Sequence, residues 1–240
     1  MSQTLTLSPF ELALRLGDDA LTLSHRLCEW CGHAPTLEVD LALSNIGLDL
    51  LGQAQFFLNY AGELEGAGRD ADALAYHRDE YEFKNCLLAE QPNGDFARTI
   101  VRQLFFSTWQ TLRFQELAQS SDKNFTAIAA KALKEVTYHA NFAAEWVLRL
   151  GDGTKESKRR VVDGISWSWR YVDELFIGED AALRPAWEAI VRAKLAQAGL
   201  EPPAPVRGIT GGREGRHSEH LGHLLAEMQY LQRSHPNAQW

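Results

Sequence analysis

The chain has 240 residues, enough for one large domain or two small ones, with an ordinary soluble composition of 45% hydrophobic and 23% charged residues. Its net charge of −8 argues against a nucleic-acid protein, whose backbone contacts need clustered Lys and Arg. The first twenty residues lack the basic-then-apolar pattern of a signal peptide, and no run is long and apolar enough to span a membrane, so a cytoplasmic location is expected.

Pro and Gly cluster at 32–35, 65–68, 91–94, 151–153 and 201–215, and long Ala-, Leu- and Glu-rich segments lie between them. Period-two alternation is scarce, so strands have little support. The pattern predicts helices near 9–30, 36–65, 70–90, 95–120, 123–150, 156–177, 181–199 and 217–234, an all-α antiparallel bundle in a single domain over 1–240. Cys28 and Cys31 form a CxxC at the end of the first helix, and with Cys86 the odd count fits a reducing compartment. No second ligand pair or strand–turn–helix context accompanies the CxxC, which reads as structural.

Helix 36–65 carries an inward stripe of Val39, Leu43, Ile46, Leu50, Gln53, Phe57 and Leu64, with Gln53 the one polar member. The run 96–115 contains no Asp or Glu. On helix 123–150, at about 100° per residue, Val136 and His139 fall on the apolar arc and Glu135 on its border beside Lys131 and Lys134. GDG at 151–153 ends this helix rather than cradling a phosphate. The stretch 201–215 is a loop long enough to wrap across a surface or a partner.

The motif KEVTYH (134–139) raises the question of a metal. A di-iron bundle places Glu-x-x-His on two helices and a carboxylate on each of two others, because residues three apart face the same way. The residue three before His139 is Val136, and the corresponding pair on helix 36–65 is Leu50 and Gln53. One imidazole does not hold two irons, so a core histidine is the expectation at His139. An unusual ligand set of Asp49, Glu135 and His139 is the alternative, which would make the chain an active di-iron or mononuclear oxygenase subunit. The cluster His217, Glu219, His220 and His223 does not share one helix face, and His217 or Ser218 fits a helix cap better than a metal ligand.

The segments LCEWCGHAPTLEVDLALSNIGLDLLGQA (27–54), AEQPNGDFA (89–97), KEVTYH (134–139) and GRHSEHLGHLLAEMQYLQR (215–233) resemble, essentially end to end, the C-subunit family of the bacterial phenylacetyl-CoA epoxidases. The resemblance implies a ferritin-like bundle with extra C-terminal helices. Where the family's catalytic A subunit reads DEAGH and KEESFH, this chain reads DLLGQ (49–53) and KEVTYH. The ligand Glu and His of the first motif fall on Leu50 and Gln53, the Glu of the second falls on Val136, and only His139 is kept. The resemblance therefore implies a metal-free structural subunit in phenylacetate catabolism. Its partner would be a di-iron A subunit, in an A–C heterodimer that pairs into a heterotetramer, with a B subunit and an NADPH-dependent reductase that let the complex use O2 on phenylacetyl-CoA. It also places the nucleotide end of coenzyme A near Glu82, Phe83, Lys84 and Asn85, with Phe83 stacking on adenine and Lys84 meeting a phosphate; a solvated, charge-rich helix over the same residues is the alternative.

Overall fold

The computed structural model describes residues 7–204, 206–236 and 238. Among them are ten α-helices, four short 3-10 turns and no strand, so the expected all-α class is what the structure shows. The contacts gather into two compact units, one built from 93–210 with 34–37, the other from 7–33, 38–92 and the C-terminal segment from Gly211.

In the second of these units, α1 (Pro9–Cys28) opens on Pro9 behind Ser8, whose hydroxyl accepts from the Glu11 N–H while the Glu11 carboxylate reaches back to Ser8. Most of α1 is buried on every side, including Asp18 and Asp19. It runs antiparallel to α2 (Leu37–Glu65): Gly17 lies against Leu58, and further along α1 the Ser24 hydroxyl donates to the Gly47 carbonyl at 2.7 Å. The predicted stripe on α2 is buried from Val39 to Phe57, but Leu64 is 39% exposed, because the last turn of the helix passes beyond the unit's core. Gly62 lets the chain fold back tightly, since a Cβ there would meet the Arg69 carbonyl oxygen at 1.9 Å.

The helix expected over 70–90 is broken into α3 (Ala71–Tyr76), a 3-10 turn at Glu80–Glu82 and α4 (Leu87–Glu90). The physical reason is competition for backbone donors: the Lys84 and Cys86 N–H groups bond to the side chains of Asp18 and Asp19 instead of to carbonyls one turn back. The helix expected over 217–234 is likewise divided, into α9 (Glu219–Met228) and α10 (Tyr230–Ser234). The Gln229 side chain at the break donates to the Ala75 and Arg78 carbonyls, both at 3.0 Å.

In the other unit, α5 (Phe96–Leu117) and α6 (Lys123–Gly151) form an antiparallel hairpin, with Phe96 against Trp146 at one end and the Thr111 hydroxyl 3.4 Å from the Val136 carbonyl nearer the other. Here α7 (Lys155–Trp169) lies along α5, with Gly164 against Arg98 and Trp169 against Phe105. The helix expected to reach 177 stops at Trp169 and continues as a 3-10 turn over Val172–Phe176, and the next α-helix, α8 (Arg184–Gln197), is preceded by a second 3-10 turn. Edge-to-face and tilted rings of Phe105, Trp169, Phe176 and Trp187, at 5.4–5.7 Å, form this unit's aromatic core, and the Trp187 indole N–H is satisfied by the Phe105 carbonyl at 2.8 Å.

No helix of the described residues is long and apolar enough to cross a membrane.

Candidate functional site

The four positions that would carry half of each di-iron motif are all buried. On α2, Leu50 has no exposed surface and Gln53 is 2% exposed; on α6, Val136 and His139 have none. The angular reading of both helices is therefore correct: these side chains point inward, one turn apart on each helix. Glu135 is half-buried at the edge of α6, and Asp49 is half-buried beside the α2 stripe. His139 packs in the core with the Tyr138 ring nearly perpendicular to it. Two aliphatic side chains, one amide and one imidazole supply no anionic ligand, so these positions do not fit an iron pair. Among the described residues, no group of three or more His, Cys, Asp or Glu side chains is gathered to hold a metal ion.

The densest polar chemistry lies elsewhere, in the unit that holds α1. Asp18 and Asp19 face opposite partners inside it. Asp18 is fully buried and takes a two-pronged ion pair from the Arg78 guanidinium, with Nη1 donating to Oδ2 at 3.0 Å and Nη2 donating to Oδ1, plus the Lys84 N–H at 2.8 Å. Asp19 meets Arg213 Nη2 at 2.8 Å and the Cys86 N–H at 2.7 Å. Burial pushes the Asp19 carboxyl above the usual carboxylate value even though Arg213 and the Cys86 N–H pull it down. The Arg213 Nη1 also donates to the Lys84 carbonyl at 2.9 Å.

Glu90 is the second hub, and it has no solvent exposure. Its Oε2 accepts from Asn85 Nδ2 at 2.8 Å and from His217 Nδ1 at 2.7 Å, and its Oε1 accepts from the Ser218 N–H at 2.7 Å and hydroxyl at 2.8 Å. The Glu90 carbonyl accepts from Arg26 at 3.0 and 2.9 Å. The other ring nitrogen of His217 lies 2.9 Å from the Phe83 carbonyl. A carboxylate and a carbonyl can only accept, so both ring nitrogens donate and His217 is an imidazolium. Burial alone would push its pKa down; the Glu90 hydrogen bond and charge, with the Phe83 carbonyl, outweigh it and hold the pKa above the ordinary histidine value.

These contacts locate the four residues expected at coenzyme A. Phe83 and Asn85 have no exposed surface: the Phe83 ring is covered by the Arg78 guanidinium at 4.1 Å, and Asn85 is bonded to Glu90. The ring face for an adenine stack is already occupied. Glu82 and Lys84 are half-buried and reach the surface. The segment is thus a brace between the two aspartates and the C-terminal segment rather than a solvated helix. Gly215, at φ 82°, lets that C-terminal segment lie directly on it, since a Cβ would meet the Tyr81 carbonyl at 2.2 Å. The loop expected to wrap a surface does so on its own unit at this end.

Sequence reasoning misses Asp18, Arg78, Glu90 and Arg213. One signal is available: two adjacent aspartates, Asp18 and Asp19, in the middle of a helix rich in Leu and Ala require cations or donors if they are buried. Their partners lie at least 60 residues away in the chain, and nothing local marks them.

A profile of the family described as phenylacetic acid catabolic protein matches residues 1–240. The chain belongs to this family. It is 52% identical over 241 aligned positions to the C subunit of the 1,2-phenylacetyl-CoA epoxidase of Escherichia coli K12, covering 95% of this chain and 97% of that relative. The fold is the all-α, ferritin-like one of the phenylacetic acid catabolic proteins.

Proposed function

We propose that this chain is a non-catalytic structural subunit of a multicomponent phenylacetyl-CoA epoxidase. In this reading one ferritin-like domain over 1–240 packs beside a di-iron A subunit and stabilises it, in an A–C heterodimer that pairs into a cytoplasmic heterotetramer. A B subunit and an NADPH-dependent reductase complete the assembly, and the substrate is phenylacetyl-CoA. The observation that carries the proposal is the burial of Leu50 and Val136 where the catalytic subunit's motifs have glutamates. A buried carboxylate without a metal is costly, and an aliphatic side chain removes that cost. A chain with those replacements keeps its core and leaves the metal to its partner.

The deciding measurement is co-purification with the A subunit followed by iron analysis of each separated chain. Iron is expected with A and only background with this chain. About two irons bound per copy of this chain, lost on His139→Ala, would establish the alternative of an active metal subunit. Omitting the chain from a reconstitution of A and reductase should lower both turnover and the solubility of A.

The coenzyme A contribution narrows to Lys84, with Glu82 beside it. The Lys84 ammonium is at the half-buried surface of a segment whose backbone is fixed by Asp18 and Arg213, which suits a point contact to a phosphate. Lys84→Ala is expected to raise KM for phenylacetyl-CoA severalfold in the reconstituted complex at nearly constant kcat. An unchanged KM would remove this chain from the substrate site.

A further inference from the structure

Two arginines of the unit built from 93–210 are gathered on one aromatic ring without a counter-ion. Arg98 stands in the first turn of α5, and Arg170 directly follows the last residue of α7. The guanidinium carbon of Arg98 lies over the Trp167 ring, 3.6 Å from its centroid, and that of Arg170 lies 5.0 Å from it. All three side chains are half-buried. Neither guanidinium makes an ion pair or a hydrogen bond among the described residues. The buried arginines Arg26, Arg78, Arg113 and Arg213, by contrast, each meet a carboxylate.

The donors are held in place and unspent. Arg98 Nε and Nη2 and the Trp167 indole nitrogen are buried, and none has an acceptor. A buried donor left open is costly. Packing fixes the Arg98 side chain instead: it lies on Gly94, where a Cβ would meet Arg98 Cδ at 2.7 Å. Gly164 brings α7 onto the same turn of α5, since a Cβ there would meet the Arg98 Cα at 3.0 Å. Burial holds the Arg98 pKa below the ordinary arginine value, and the Arg170 charge pushes it the same way. Tyr171 and Asp95 act in the opposite direction, but the Asp95 carboxylate is committed elsewhere. Its Oδ1 accepts the Arg98 backbone N–H at 2.9 Å as the α5 cap, and its Oδ2 lies 3.6 Å from Arg160 Nη1.

Charge selects the ligand. Water satisfies open donors but does not balance two neighbouring cations. A carboxylate brings one negative charge with its oxygens in one plane. A phosphoryl group brings nearly two charges and three acceptor oxygens, and the arginine fork matches pairs of those oxygens. We propose that Arg98 and Arg170, fixed on the Trp167 ring, form a binding site for a phosphoryl dianion, carried as inorganic phosphate or as the phosphate monoester of a small molecule. The buried Nε and Nη2 of Arg98 supply the fork, and Arg170 supplies the second charge.

The test is titration calorimetry of the full chain at constant low ionic strength with inorganic phosphate, glycerol phosphate and acetate. The wild type is expected to bind at least one of the two phosphoryl probes with a Kd of about 1 mM or tighter, and acetate at least roughly tenfold more weakly. Arg98→Gln and Arg170→Gln are each expected to weaken phosphoryl binding at least roughly tenfold. Arg192→Gln, which removes one charge from an arginine on α8 that is paired with Glu188, is expected to bind as the wild type does. Circular dichroism and Tm establish that each variant is folded; should Arg98→Gln fail to fold, the more peripheral Arg170→Gln carries the test. Binding of phosphate alone identifies the ligand as the free ion, and equal or tighter binding of glycerol phosphate identifies it as an ester. No wild-type binding of either phosphoryl probe tighter than about 10 mM overturns the proposal. So does acetate binding as tightly as the phosphoryl probes, and so does a loss on Arg192→Gln equal to that on Arg170→Gln, which would mark a diffuse charge effect.

Discussion

Replacing Arg78 by alanine is expected to cost about 3–5 kcal/mol of folding stability, the usual cost of leaving a buried charge without its partner. Asp18 has no exposed surface, and Arg78 supplies both prongs of its ion pair. The Lys84 N–H also donates to that carboxylate at 2.8 Å, but a neutral amide cannot balance its charge. The same guanidinium covers the Phe83 ring and donates to the Glu82 carbonyl at 3.2 Å, so the substitution also loosens the brace over 80–86. Arg78→Lys keeps the charge and loses the fork, and an intermediate loss is expected. Urea unfolding of the wild type and both variants measures this. Equal midpoints for wild type and Arg78→Ala would mean that Asp18 is not held as a buried anion. Asp18→Asn in the Arg78→Ala background should recover part of the loss, because it removes the stranded charge.

The long helices are legible in the sequence because their signal is local. A 3.6-residue apolar period over twenty or more residues fixes the positions of α2, α5 and α6 to within a few residues, and the same angular argument puts Leu50, Gln53, Val136 and His139 inside. The segment 70–90 is misread for the opposite reason. Its composition favours helix, yet Asp18 and Asp19, more than sixty residues earlier, take the backbone N–H groups of Lys84 and Cys86. Phe83 suits a stacking ring by residue type alone; a residue's type does not say which face of it is covered, and Arg78 covers this one. Within its own cluster His217 reads as a cap or a weak metal ligand. Its partners are Glu90 and the Phe83 carbonyl, from a distant stretch of chain, so only the folded arrangement gives it a role.

Glu90→Gln, nearly isosteric, is expected to be as damaging as Arg78→Ala and to reverse the sign of a pH dependence. The carboxylate accepts four donors, two on each oxygen, from Asn85, His217 and Ser218. A glutamine has one oxygen, so its amide nitrogen must face either the Ser218 N–H or the Asn85 and His217 donors. A donor set against a donor in a buried site, and an imidazolium without its anion, together cost about 3–5 kcal/mol. In the wild type the folded pKa of His217 lies above its ordinary value. The stability it contributes is therefore full below the ordinary value of about 6.5 and is lost as pH rises through the folded pKa. Without the Glu90 charge, burial becomes the dominant effect and pushes the folded pKa below the ordinary value; stability is then lost as pH falls. Unfolding free energies measured by urea titration from about pH 6 to about pH 9 should fall toward the alkaline end for the wild type and fall toward the acidic end for Glu90→Gln. His217→Gln should flatten this contribution in either background. A wild-type profile that does not fall on the alkaline side, or one that His217→Gln leaves unchanged, would show that His217 is not the buried cation that pins the C-terminal segment to Glu90.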